Sequence, residues 1–128
     1  MKTILIDAVH TFVNSVGIVD EKIFELLEEY DVHKIICTNA DPEKIREYNL
    51  DIMKYPVFTL SREPAKADPE YFELLMQEFN LFPSECLYIE HNKDAVTSAQ
   101  SIGITSYYFD SEKRDLESLK EFINNNIH

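Results

Sequence analysis

Five times along this chain a short apolar, β-branched run is followed by a stretch of helical spacing, and that alternation constrains the fold more than any single residue. The runs are Thr3 to Ala8, Lys34 to Thr38, Pro56 to Leu60, Cys86 to Ile89 and Thr105 to Phe109. Runs this brief and this continuously apolar suit strands covered on both faces. Parallel strands need a crossover between them, and a helix supplies it. The expectation is a three-layer α/β fold around a mainly parallel sheet, Rossmann-like in plan. With 128 residues and 45% hydrophobic content the chain accommodates one core, so residues 1–128 read as a single domain.

The helix starts carry their own chemistry. Asp20 precedes Ile23, Leu26, Leu27 and Tyr30, an apolar stripe with a capping carboxylate ahead of it. Asp41-Pro42 and Asp68-Pro69 both place a cap residue before a proline, which tolerates the first helical position because no N–H is needed there. The segment from Asn92 to Ile102 closes on Gly103, and Ser111 is expected to open a last helix through Leu116, Leu119 and Ile123.

Charge then excludes whole classes of partner. Twelve Lys and Arg against 24 Asp and Glu give a formal net charge of −12, spread along the chain, which repels nucleic acid and anionic membrane alike. No apolar run approaches the roughly 18 residues of a membrane span, and the apolar stretch within Met1 to Asp7 is too short for a signal peptide, so a cytoplasmic location is expected. A phosphorylated ligand meets the same repulsion unless a local cation or metal offsets it.

In open α/β sheets ligands bind beyond the carboxyl ends of the strands, where the winding reverses. Asp7 ends the first run after Ile4, Leu5 and Ile6, a costly place for a charge without purpose, though an aspartate there also suits turn capping. Thr38-Asn39 ends the second run and offers a hydroxyl and consecutive N–H groups, a cradle for an anion or simply a cap for the next helix. Lys66 stands just before a helix start, where the helix dipole gives a cation nothing.

Taken together, Asp7 with Thr11, Thr38-Asn39, Lys66-Ala67-Asp68-Pro69, and Leu87 to Asn92 followed by Ala99 and Gly103 resemble, in order and spacing, the four motifs of the haloacid dehalogenase-like (HAD) superfamily. The resemblance spans nearly the whole chain. It implies a five-stranded sheet ordered 3-2-1-4-5 and a phosphate-ester hydrolase in which Asp7 is the nucleophile. Covalent catalysis of this kind splits the transfer through an aspartyl-phosphate that water then clears. By the same likeness Thr38 binds the phosphoryl oxygens, Asn39 offers its backbone N–H, Lys66 neutralises charge, and Asp7, Glu90 and the carbonyl of Val9 hold Mg²⁺. His10 and Asn92 join Asn39 as candidates for substrate contact. Family members usually carry a cap domain after the first motif or between the second and third. Here the first interval, Phe12 to Asp20, is a short loop, and the second, Ala40 to Ala65, holds one helix and one strand. A capless site is implied, open to a small phosphorylated molecule, to a phosphorylated macromolecule, or to a protein partner that covers it.

The motifs also depart from the phosphatase pattern. Val9 stands where a second aspartate would serve as general acid and base, a contribution worth roughly 10²–10⁴ in rate. His10 replaces a usual glycine, and His91 replaces one of the acidic pair in motif four, which should weaken Mg²⁺ because that ion prefers oxygen ligands. A protonated His91 against Asp7 would partly stand in for the ion. Asn92 and the missing second aspartate also resemble the metal-free dehalogenases, although Ala95 takes the place of their motif-four aspartate and their cap is absent. The reading from a different class is a catalytically degenerate HAD-like domain kept for binding or interaction. A phospho-receiver domain is disfavoured because Val57 to Ser61 holds no aspartate to phosphorylate.

Cys37 and Cys86 are expected as buried, unpaired residues on the two strands flanking the first, and Tyr107, Tyr108 and Phe109 crowd the last strand, so at least one ring must face away from the core.

Overall fold

Strand β1 (Thr3–Asp7) occupies the centre of a parallel sheet ordered β3-β2-β1-β4-β5, with β2 at Lys34–Thr38, β3 at Val57–Thr59, β4 at Cys86–Glu90 and β5 at Thr105–Tyr108. The computed structural model describes residues 2–128. Helices α1 (Glu21–Glu28), α2 (Pro42–Glu47), α3 (Pro69–Phe79), α4 (Lys93–Ser101) and α5 (Leu116–Asn126) connect or follow the strands, with short 3₁₀ turns at Leu50–Ile52 and Pro83–Glu85. The three-layer reading and the strand order both hold.

Side chains alternate across the sheet with period two, so β1 feeds two separate cores. Ile4, Ile6 and Ala8 pack with Ile23 and Leu27 of α1 and with Leu119 and Ile123 of α5. Leu5 points the other way, into a cluster with Cys37, Tyr88, Ala99 and the α3 residues Tyr71, Phe72 and Leu75. Chain direction away from β1 differs on its two sides: β2 and β3 lie to one side, then the chain returns past β1 to β4 and β5. The crevice where that winding reverses opens between β1 and β4, at their carboxyl ends.

The four cap residues Asp20, Asp41, Asp68 and Asn92 all accept backbone N–H groups of the helices they open. The last helix is the exception. It starts at Leu116 with Asp115 as its cap, not at Ser111. Residues 111–114 instead form a turn in which the Asp110 carboxylate accepts the amides of Glu112 and Lys113, and Arg114 takes a left-handed φ of 47°. Asp110 makes the contacts of a helix cap, but the left-handed backbone of Arg114 ends that turn, so the helix begins only after Asp115.

Cys37 and Cys86 are buried and free, on the strands that flank β1. Their partners on β1 are Asp7 and Thr3, at opposite ends of the strand, so no disulfide spans them. On β5, Tyr107 stacks on Phe122 of α5 at 5.0 Å while Tyr108 remains 39% exposed beneath the ammonium of Lys93. Phe109 turns back into the core. No helix among the described residues is long and apolar enough to cross a membrane.

Candidate active site

Register puts the acids together. Asp7 pairs with Cys37 across β1 and β2, and Ile6 pairs with Ile89 across β1 and β4, so Asp7 and Glu90 leave the sheet side by side. Both are buried, at 4% and 0% exposure. Two adjacent carboxylates in a dry crevice require cations.

Lys66 supplies the first. Its Nζ donates to Oδ1 of Asp7 and, at 2.8 Å, to Oε1 of Glu90, bridging the pair from the loop ahead of α3. Burial alone would depress the lysine pKa, but the two carboxylates outweigh it and raise it above the ordinary value, so the ammonium stays charged. His91 supplies the second. Its Nδ1 lies 2.6 Å from Oδ2 of Asp7 and 3.3 Å from Oε2 of Glu90. The contact with Asp7, then that with Glu90, raises the imidazole pKa to about 9 against an opposing effect of burial. Burial opposes ionisation of Glu90 too, yet the hydrogen bonds from His91, Lys66 and Tyr88 hold its pKa below the usual carboxylate range. At neutral pH Glu90 is therefore ionised, and Lys66 and His91 both carry positive charge beside Asp7.

Neutral donors complete the set. Thr11 donates its hydroxyl to Oδ2 of Asp7 at 2.8 Å, Tyr88 donates to Oε1 of Glu90, and the Asn92 amide donates to Oε2 of Glu90 at 3.0 Å. Tyr88 was not among the residues singled out from the sequence. Its position two residues before Glu90 on the same strand face is the signal that would have found it.

The remaining candidates separate by what their side chains do. Asn39 works mainly through its amide group: Nδ2 donates to the carbonyls of Leu60 at 2.7 Å and Pro64 at 3.2 Å, and Oδ1 accepts the Lys66 N–H at 3.0 Å. It thus fastens the loop that carries Lys66. Thr38 ends β2 beside Asp7, and its hydroxyl oxygen accepts the Ala40 N–H at 3.1 Å, which leaves the hydroxyl proton available. The Asn92 side chain caps α4, accepting the amides of Asp94 and Ala95. His10 is exposed, with a left-handed φ of 73°, and its ring meets that of His91 edge-on at 5.4 Å. Val9 is half-buried and forms an isolated bridge with Val13. A hollow of about 230 Å³ opens over Lys66, Glu90, His91 and Asn92, bordered by Asn39 and Ala95.

Neither a protein-family model nor a curated protein matches the sequence. Solved structures share the architecture. A predicted HAD-like family hydrolase from Porphyromonas gingivalis matches at TM-score 0.74 and 12% identity, over 96% of this chain and 98% of that one. The fold is HAD-like. A HAD-superfamily hydrolase of subfamily IA from Geobacter sulfurreducens matches at 0.67 and 16% identity, over 84% of this chain and 89% of that one. An aspartate-to-alanine variant of a HAD family enzyme from Bacteroides thetaiotaomicron, solved with magnesium and inorganic phosphate, matches at 0.62 and 13% identity, over 84% and 93% of the two chains. At these identities the likeness is one of HAD-like architecture.

Proposed function

We propose that this chain is a capless HAD-like hydrolase of phosphate monoesters that works through Asp7 and depends little on Mg²⁺. The observation that carries the reading is Lys66 bridging Asp7 and Glu90 at the carboxyl end of the central strand, with Thr38 ending the neighbouring strand. In this scheme an Asp7 oxygen attacks phosphorus, the ester P–O bond breaks, and the leaving oxygen departs as the anion and takes its proton from solvent water. Water then attacks the aspartyl-phosphate and releases inorganic phosphate and free Asp7. Lys66 offsets charge on the phosphoryl group, and the Thr38 hydroxyl proton is free to meet one of its oxygens.

HAD-like folds imply a Mg²⁺ ion, and the donors here fit it poorly. Asp7, Glu90 and His91 offer ligand atoms within 4.8 Å of one another, but one of the three is an imidazole. That imidazole, with its pKa raised to about 9, must lose its proton before it can bind an ion. Mg²⁺ prefers oxygen ligands and keeps its waters, so the mixed set favours a softer ion or His91⁺ itself in the cation position. No step is assigned to a metal.

Val9 leaves no carboxylic acid two positions after Asp7 to protonate the departing oxygen, and the Nδ1 proton of His91 is already shared with Asp7. Turnover should then depend steeply on the leaving group, with aryl phosphates cleaved roughly 10²–10⁴ times faster than alkyl ones. The test is hydrolysis of aryl and alkyl phosphates with EDTA, Mg²⁺ or Mn²⁺, for the wild type and Asp7→Asn. Activity that survives EDTA and disappears in Asp7→Asn supports the reading. Equal activity in both proteins removes it.

One observation favours a second reading, a binding module without turnover. The Asp7 side chain is only 5% exposed and both of its oxygens are already held. Phosphate binding by wild type and Asp7→Asn, with hydrolysis in neither, would select that alternative.

A further inference from the structure

Arg114 touches neither Asp7 nor Lys66, yet its guanidinium holds the backbone that presents the site. Its Nη1 donates to the carbonyl of His10 at 3.0 Å and its Nη2 to the carbonyl of Thr11 at 2.7 Å. The same fork pairs with the Asp20 carboxylate, at 3.0 Å from Nε and 2.8 Å from Nη2, and its plane lies over Phe109 at 5.0 Å. Both carbonyls belong to residues whose side chains reach the acidic centre. Thr11 donates to Asp7, and the His10 ring packs on the His91 ring.

The backbone supports a specific placement. Arg114 sits at φ 47°, a conformation that disfavours any residue with a Cβ, and it does so in the turn before α5. A lysine would carry the same charge but not the planar fork needed to meet two carbonyls and a carboxylate together. Asp20 is also the cap of α1, so Arg114 joins three things: the loop after β1, the start of α1 and the end of β5.

We infer that Arg114 is a positioning residue that fixes the loop of His10 and Thr11, and through Thr11 the orientation of the Asp7 carboxylate. Its kinetic consequence rests on the hydrolase reading; its mechanical consequence does not. The experiment therefore has two arms, both on the full chain, with Arg114→Lys and Arg114→Ala.

In amide hydrogen exchange, the N–H groups of residues 10–13 should exchange about tenfold or more faster in both variants, while those of Leu87 to Ile89 in β4 keep their protection. In aryl phosphate hydrolysis, kcat should fall by about 10- to 100-fold with KM within about twofold, because misplacing a reacting group costs turnover more than binding. Added guanidinium should recover part of the Arg114→Ala loss, and Arg114→Lys should fall short of wild type despite its charge. Unchanged exchange at residues 10–13, or a uniform rise across β4 as well, overturns the inference whatever the activity. A local rise in exchange with unaltered kcat overturns the link to Asp7. If the wild type hydrolyses nothing, local exchange still decides the clamp, and only the hydrolase reading fails.

Discussion

Two of the lysine–carboxylate contacts lie at opposite ends of the sheet, and they differ in almost everything except composition. At the carboxyl ends of the strands, Lys66 joins Asp7 and Glu90, with side-chain exposures of 14%, 5% and 0%. At the other end, Lys54 meets Glu28 with exposures of 61% and 31%, and Tyr55 donates to the same carboxylate at 2.6 Å. Water screens the second pair, so it contributes little to stability. The first is far less screened, and each of its charges is tolerable only because the others are present. A chain gains little net stability from such a buried centre, and that is why the proposed chemistry is placed there.

This contrast can be broken in order of expected effect. Lys66→Met leaves two buried carboxylates facing each other without their shared cation, and should cost about 3–5 kcal/mol in urea denaturation at pH 7. A loss as small as that of an exposed pair would show that the crevice is wetter than its burial implies. Tyr88→Phe removes one hydrogen bond to a charged, buried oxygen of Glu90 and should cost roughly 1.5–3 kcal/mol by the same assay, with the fold intact.

His91 gives the comparison a pH axis. Its folded pKa of about 9 lies above the ordinary 6.5, so its contribution is full below about pH 6.5 and is lost as pH rises through about 9. His91→Gln should accordingly be less stable than wild type by roughly 1–3 kcal/mol at pH 6, and the gap should close by pH 10. A gap that is constant with pH would mean that the imidazole is not charged in the folded state. The smallest effect belongs to the other cluster: Lys54→Met should leave the denaturation midpoint unmoved, and any shift it does cause should vanish in high salt.

Much of this was legible before any coordinates. Period and capping are local properties, so the strands and four of the five helix starts follow from residues within a few positions of one another. The early start expected at Ser111 fails because, although Asp110 caps the amides of Glu112 and Lys113, the left-handed Arg114 breaks the turn, and no residue type announces that conformation. The candidate site was legible where its residues end strands, as Asp7, Thr38 and Glu90 do, or stand just before a helix start, as Lys66 does. Side-chain roles were less so. Asn39 is better described by the loop it ties than by its N–H, because its partners Leu60 and Pro64 lie more than twenty residues away. Arg114 is separated from Thr11 by 103 positions, and no local pattern announces a guanidinium that serves distant carbonyls.

The most direct test of the central claim is to look for phosphate on Asp7 itself. A ³²P-labelled aryl phosphate is mixed with the protein, quenched within milliseconds to seconds, and the acyl phosphate is reduced with borohydride before peptide mapping. The account predicts label that is alkali-labile and a reduced residue at position 7, absent in Asp7→Asn. Substrate consumed with no modification at position 7, or label carried by another residue, would contradict it.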